Sequence, residues 1–492
     1  MFTSETCKFC PIIEKIIRKF IVSGLGNQVS LTTVDVDLAP ETSAQFNIRK
    51  LPTVIMGTGS GGTSSFERIV EGYMEEEDIR DRLMNKVFQL VLAGDAGTRK
   101  RKENLIWLTK NTIESVGVQK NLIRPNVGDY VHLQGLQINN MSLLALDRLA
   151  AELLYESGKI YGNYGPGQMF LVQLNPEIMR QIRLVPRFSE IMKALVMMYS
   201  KADQFPLYNV SSAELVHIEN LNATLRIFGS AYAVGAPNIK EPLCYSLSGE
   251  IAGIIQAVLG KFVRVTETSC WGTGTPYCDF LIEVLDEEPR TSKSTSDSGK
   301  KEVARRRNTF VTSLAEMAEK MHDSLLFKRQ LREVGDYVHI TVIQQAFTAL
   351  KIIDPFCGML LYSSGLTFGL TSDKSIIQNW IIERELPQPL DFSLAVKLIA
   401  EEMKHPTTLL TRQHSFIKLN YDEEDPEEIA YIKINELAYS AGATNVGETF
   451  CDFMAGFING RLQLLLEDET SVKEIQCYGK GDPFCIFRIQ LE

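Results

Sequence analysis

One pattern is written twice in this chain: Cys244, Glu267, Cys270 and Cys278, then Cys451, Glu474, Cys477 and Cys485, with counterparts 207 residues apart throughout. Three thiols and a carboxylate are a side-chain set that surrounds a tetrahedral metal, and three cysteines cannot all pair off as disulfides within one copy. The bland alternative is three buried thiols beside a surface glutamate. After Cys244, apolar residues recur at Leu247, Ile251, Ile255, Val258 and Leu259, and after Cys451 at Met454, Ile458, Leu462, Leu465 and Leu466. That is helical spacing, so each first cysteine opens a buried helix. Glu267 and Cys270 end a strand, a glycine-bearing hairpin follows, and Cys278, Phe280, Ile282 and Val284 alternate onto one face of the next strand. Any fold of this chain must bring a helix start and a hairpin together, twice.

The repetition extends well beyond the cysteines. Gly128-Asp129-Tyr130-Val131-His132 returns as Gly335-Asp336-Tyr337-Val338-His339, and Leu153-Leu154-Tyr155 returns as Leu360-Leu361-Tyr362. The copies are therefore whole domains, 104–286 and 308–492, joined by a Ser-, Lys- and Glu-rich linker over 286–307 that composition marks as disordered. Two such copies are expected to pack as an internal pseudo-dimer. His132 and His339 read as sitting on an apolar helix, either as satisfied core histidines or lining a pocket. Tyr155 and Tyr362 are core aromatics or, with the histidines, polar anchors for a small hydrophobic ligand.

A length of 492 residues leaves room for a third domain at roughly 100 to 200 residues each. The formal net charge of -10 argues against a nucleic-acid groove, which needs clustered Lys and Arg. No apolar run reaches the roughly 18 residues of a transmembrane segment, and the start shows no signal-peptide pattern, which makes the cytoplasm the expected compartment. Of the nine cysteines, the two not yet placed besides Cys357 are Cys7 and Cys10. In such a chain this usage points to metal and redox chemistry.

Residues 1–88 alternate between strand and helix patterns: Met1–Thr3, a helix from Pro11 to Ile21, a strand from Val29 to Asp37, a short helix, a strand after Pro52, another over Phe66–Glu71, and a helix from Glu75. With Cys7-Lys8-Phe9-Cys10 at a helix start, Asp35-Val36-Asp37, and Leu51-Pro52-Thr53, this unit resembles the thioredoxin and glutaredoxin family. The resemblance implies Cys7 as attacking thiolate, Cys10 as resolving thiol, Pro52 in the substrate-binding loop and a protein or small-molecule disulfide as partner. The chemistry is consistent: a thiolate at a helix N-terminus meets unpaired backbone N–H groups, and Lys8 adds positive charge. A zinc half-site or an inert pair remains the alternative. Gly57, Gly59 and Gly62 also fit a glycine-rich phosphate pattern, but lie between two strands, where no helix start follows to hold a phosphate.

Both large copies resemble the 4-vinyl reductase domain, an α/β ligand-binding domain related in fold to subunits of the TRAPP trafficking complex and found in sensors of aromatic compounds. That resemblance implies a structural zinc in each copy, held by the two Cys/Glu/Cys/Cys sets, beside a ligand pocket. The fold expected is thus α/β and α+β, a thioredoxin-like domain followed by two repeated domains with antiparallel sheets. Three functions fit: a redox-linked small-molecule sensor or thiol-disulfide oxidoreductase, a non-enzymatic adaptor of the TRAPP-subunit type, or an accessory of vinyl-group reduction. No nucleotide-binding fingerprint accompanies the last.

Overall fold

The computed structural model describes residues 1–21, 30–57, 66–92, 103, 105–106, 122–147, 149–167, 184–200, 210–287, 309–310, 312, 336–354, 357–372, 375–404, 416–421, 429–443, 447–466 and 468–492. The linker, Gly59 and Gly62, and most of the stretch between 93 and 121 lie outside these. The N-terminal unit runs β1 (Phe2–Thr3), α1 (Cys10–Phe20), β2 (Val34–Asp35), α2 (Pro40–Gln45), β3 (Thr53–Gly57), β4 (Phe66–Glu71) and α3 (Glu76–Leu92). Its sheet order is β2-β1-β3-β4, with β1 parallel to β2 and the other pairs antiparallel. The strand expected over Val29–Asp37 shortens to two residues, because β1 offers only two for pairing. Helix α1 turns Cys10, Ile13, Ile17 and Phe20 inward at helical spacing, against α3. The Leu51–Pro52 peptide is cis. Asn85 of α3 donates to Asp147 at 3.0 Å, tying this unit to the first repeat.

The first repeat contributes β5 (Tyr130–His132), α4 (Leu133–Leu144), α5 (Ala150–Tyr164), α6 (Leu184–Ser200), β6 (Ser212–Glu219), β7 (Asn222–Phe228), α7 (Tyr245–Leu259), β8 (Phe262–Ser269) and β9 (Cys278–Leu285). The second contributes β10 (Tyr337–His339), α8 (Ile340–Ile353), α9 (Cys357–Thr371), α10 (Ser375–Glu383), α11 (Phe392–Lys404), β11 (Phe416–Tyr421), β12 (Ile429–Asn435), α12 (Asp452–Leu462), β13 (Thr470–Gln476) and β14 (Cys485–Leu491). Each repeat folds its strands into an antiparallel sheet of the same connectivity, β6-β7-β9-β8 and β11-β12-β14-β13. The overall class is α+β.

Glycines set how closely the helices approach. A Cβ on Gly249 of α7 would stand 1.9 Å from the Tyr155 carbonyl oxygen of α5, and one on Gly158 would stand 2.0 Å from that of Ser246. In the second repeat Gly456 and Gly365 meet Tyr362 and Phe453 in the same way, both at 1.9 Å. Backbone therefore lies on backbone, a contact that any side chain would force apart.

The two repeats join edge to edge. Strands β5 and β10 pair antiparallel, Val131 opposite Val338, and the rings of Tyr130 and His339 meet edge on at 5.3 Å while those of His132 and Tyr337 do so at 5.6 Å. Helix α5 packs on α8 and α4 on α9. Asn126 donates its backbone N–H to Glu436 of the other repeat at 3.2 Å, and its side-chain amide contacts the same carboxylate. Glu436 itself adopts φ +52, where its counterpart Gly229 has φ +60. A left-handed glutamate costs about 1 kcal/mol, offset here by the contacts its carboxylate makes with the preceding segment.

Candidate metal centres and thiol site

The four residues of each set converge. In both copies one donor atom from every residue lies within 4.8 Å of all the others. Cys244 is the N-cap of α7 and Cys451 that of α12, so each first sulfur sits where a buried helix begins. Glu267 comes from the end of β8, Cys270 and Cys477 cap short 3-10 turns, and Cys278 and Cys485 open the returning strands. All six sulfurs are buried. The hairpin of the sequence reading is thus a 3-10 turn, and Gly272 and Gly479 are required in it: a Cβ would fall 2.3 Å and 2.2 Å from the Glu241 and Glu448 carbonyl oxygens.

Sulfur separations are 3.6 Å for Cys244–Cys278, 3.9 Å for Cys270–Cys278 and 3.6 Å for Cys451–Cys485. Disulfides bond at about 2.05 Å, whereas the edges of a tetrahedron with metal–sulfur bonds of about 2.3 Å are close to 3.8 Å. The carboxylates are posed for the same centre. Glu267 Oε2 accepts the backbone N–H of Cys244 at 2.9 Å, and Glu474 Oε2 that of Cys451 at 3.0 Å. Oxygen Oε1 of both is buried without a hydrogen-bond partner. Burial, then the neighbouring sulfur charge, pushes both carboxyls well above the usual range, and burial pushes the Cys244 and Cys451 thiols up. Hydrogen bonds from the other two thiols instead favour the thiolate at Cys270 and Cys477. Such a set cannot ionise together without a cation, and an orphaned carboxylate oxygen facing three sulfurs is what a bound cation would complete. Each set could hold a metal ion.

The sulfurs have further support that spacing alone does not reveal. Gly272 and Gly479 direct backbone N–H groups to Cys270 and Cys477, while Gly274 and Gly481 donate to the Trp271 and Tyr478 carbonyls instead. Ser230 Oγ lies 3.4 Å from the Cys244 sulfur, and Ser440 Oγ lies 3.1 Å from that of Cys485. The repeat offset could have found the serines, since they align with the first serine's position 210 residues on, close to but outside the 207-residue register. Outer contacts of this kind orient ligands and tune the charge they carry.

His132 and His339 are not on the face of a helix, as the apolar run after them suggested. Each ends a short strand and caps the helix that follows, accepting the backbone N–H of Gln134 at 3.3 Å and of Thr341 at 3.4 Å. Their rings face the opposite repeat. The Tyr155 hydroxyl accepts the N–H of Val265 at 3.2 Å, and that of Tyr362 accepts from Asn459 at 2.8 Å. Cys357 is buried at the start of α9, away from the shared scheme.

Cys7 and Cys10 form a disulfide at the mouth of α1. The backbone N–H of Cys10 donates to the Cys7 sulfur at 3.1 Å; Cys10 is buried and Cys7 only partly so. Phe2 pairs with Thr53 across antiparallel strands, so the loop from β1 to α1 and the loop holding Pro52 leave the sheet at one end. Phe9 and Ile12 are exposed there, and the Phe9 ring meets Tyr73 at 5.0 Å. Tyr73 borders a groove of about 460 Å³ lined also by Glu71, Met74, Glu75, Asp78 and Arg82. No helix among the described residues is long and apolar enough to cross a membrane.

Two uncharacterized proteins of Methanocaldococcus jannaschii are similar to parts of this chain: one is 34% identical over 64 residues, 13% of this chain and 40% of that protein, and the other 44% identical over 51 residues, 10% and 30%. The chain spans less than half the length of either. Among solved structures, the phenol-responsive sensory domain of the transcription activator PoxR aligns at 16% identity and a TM-score of 0.23, covering 36% of this chain and 82% of that domain. A trafficking protein particle complex subunit 3 from Naegleria fowleri aligns at 15% identity and 0.21, covering 28% and 80%. The family profile of the 4-vinyl reductase domain matches residues 223–284 and 431–491, the segments that contain all eight candidate ligands. The chain therefore carries two 4-vinyl reductase domains.

Proposed function

We propose that this chain is a redox-linked protein in which an N-terminal thiol-disulfide exchange domain is carried on two zinc-stapled, ligand-binding 4-vinyl reductase domains. The observation that carries the redox part is the asymmetry of the Cys7–Cys10 pair: one sulfur partly exposed at a helix start and receiving an N–H, the other buried one turn on. In the reduced protein, the Cys7 thiolate attacks a substrate disulfide, one substrate sulfur leaves as thiolate, and a mixed disulfide forms. The Cys10 thiolate then attacks the Cys7 sulfur, releasing the second substrate thiolate and leaving the intramolecular disulfide, which an external thiol reductant reopens. Exposed Phe9, Ile12 and Tyr73 offer apolar contact to a partner protein beside the thiols, with Pro52 in the adjoining loop.

Zinc is the metal assigned to both sets, because three thiolates and a carboxylate in tetrahedral array suit it, and each site offers four protein donors with no open position. Its role is to fasten the turn to the helix start rather than to turn over substrate. The paired 4-vinyl reductase domains supply the small-molecule part of the reading, with the cytoplasm as its setting.

Purified reduced protein should contain two equivalents of zinc. Cys10→Ser should trap a mixed disulfide with a model substrate, and Cys7→Ser should abolish exchange with both zinc sites filled. Full exchange by Cys7→Ser would replace this reading with that of an adaptor whose N-terminal unit only docks.

A further inference from the structure

Because the repeats share their helix packing, each interior position of one has a counterpart in the other. The second repeat fills the space between α8, α9 and α12 with rings: Phe347 stacks on Tyr439 at 5.4 Å, Tyr439 meets Phe453 at 5.9 Å, and Phe368 meets Phe453 at 6.2 Å and Phe457 at 5.6 Å. In the first repeat those positions, 207 residues earlier, are Asn140, Tyr232, Ser246, Tyr161 and Glu250. The backbone there is unchanged. Gly158 and Gly162 lie against the Ser246 and Glu250 carbonyls as Gly365 and Gly369 lie against those of Phe453 and Phe457. Three phenyl rings have thus been exchanged for a serine, an amide and a carboxylate within one framework.

What replaces the rings is incompletely satisfied. Tyr199 of α6 donates to Glu250 Oε1 at 3.2 Å. Glu250 Oε2 and Asn140 Nδ2 have no hydrogen-bond partner, although the residues are only 3% and 6% exposed. Among the described residues no Lys, Arg or His pairs with Glu250. The hydroxyls of Tyr161 and Tyr232 lie within electrostatic reach of the carboxylate, as does that of Tyr199. A buried carboxylate oxygen without a donor is costly, and tyrosine rings favour a cation near their faces.

We propose that the interior of the first repeat, and not of the second, is a site for a small organic ammonium ion, whose N–H groups donate to Glu250 Oε2 while its hydrocarbon part packs among Tyr161, Tyr199 and Tyr232. This rests on the ligand-binding reading of the two repeats and is independent of the redox reading. The cation matches the carboxylate in charge, which a neutral alcohol or phenol does not. In the second repeat the same space is occupied by phenylalanine rings and offers no counter-charge.

The test is calorimetric titration of the full, zinc-loaded chain with phenethylammonium, phenethyl alcohol and phenol. One equivalent of the amine should bind, the neutral compounds about tenfold more weakly or worse, and Glu250→Gln should weaken the amine by at least about tenfold with two zinc ions retained. Tyr199→Phe, which keeps the ring, should hold amine affinity within about threefold of the parent. If the neutral compounds bind as well as the amine and Glu250→Gln changes nothing, charge recognition is overturned while the ligand-binding reading stands. If none of the three saturates by about 10 mM, both are overturned.

Discussion

Glu250→Gln also makes a quantitative statement about stability. Burial raises the Glu250 carboxyl to about 7, outweighing the Tyr199 hydrogen bond that lowers it, against an ordinary value of 4.5. The folded state therefore keeps a proton that the unfolded chain has released. The stability this residue confers is complete below about pH 4.5 and is lost as pH rises to about 7. A difference of about 2.5 units corresponds to about 3 kcal/mol, so above pH 7 the parent should be that much less stable than the glutamine variant. Glutamine keeps the acceptor oxygen for Tyr199 and the shape of the side chain. With a first repeat of roughly 160 residues, about 3 kcal/mol becomes a gap of about 6–12 °C in the melting temperature of its transition. Differential scanning calorimetry of both proteins from pH 4.5 to 8, with zinc present, measures the gap. It should open as pH rises and be near zero at the acid end. A gap independent of pH would refute the reasoning, because a carboxylate paired or hydrated in the fold would show none of this dependence.

Other outcomes follow from the same structure. Gly249→Ala and Gly456→Ala, whose new Cβ atoms would stand 1.9 Å from a backbone oxygen, should each destabilise their repeat by about 3 kcal/mol or more, read as a lowered melting temperature. Gly260→Ala, in open space at φ +64, should cost only about 1 kcal/mol. Cys451→Ser should lower zinc from two equivalents to one without touching the first site, and Glu474→Gln should weaken retention of the second ion against a chelator. His339 is held down to about 4, first by burial and then by Arg124, so it stays neutral in the fold. Its contribution is present above about pH 6.5 and is lost as pH falls toward 4, so hydrogen exchange at the β5–β10 seam should accelerate over that interval in the parent and not in His339→Gln.

The candidate ligand sets and the duplication are legible in the residues alone. Ligand identity and spacing survive folding because a helix start, a strand end and a returning strand are local features, each written in apolar period and turn residues around Cys244 or Cys451. The 207-residue offset likewise marks the copies. It does not mark the serines beside the sulfurs, because Ser230 and Ser440 are 210 apart and reach their thiols only through the folded loops. Nor do the residues in order say where Glu267 puts its two oxygens. One is fixed by the N-terminus of α7 and the other freed toward the sulfurs only once β8 lies beside that helix. His132 and His339 were misplaced by their apolar neighbours, which suggested a helix face, because strand pairing between β5 and β10 is a contact between distant segments. The polar interior of the first repeat was hidden for a related reason: Asn140, Tyr161, Ser246 and Glu250 are scattered along the chain and become neighbours only where glycines let α5 and α7 touch.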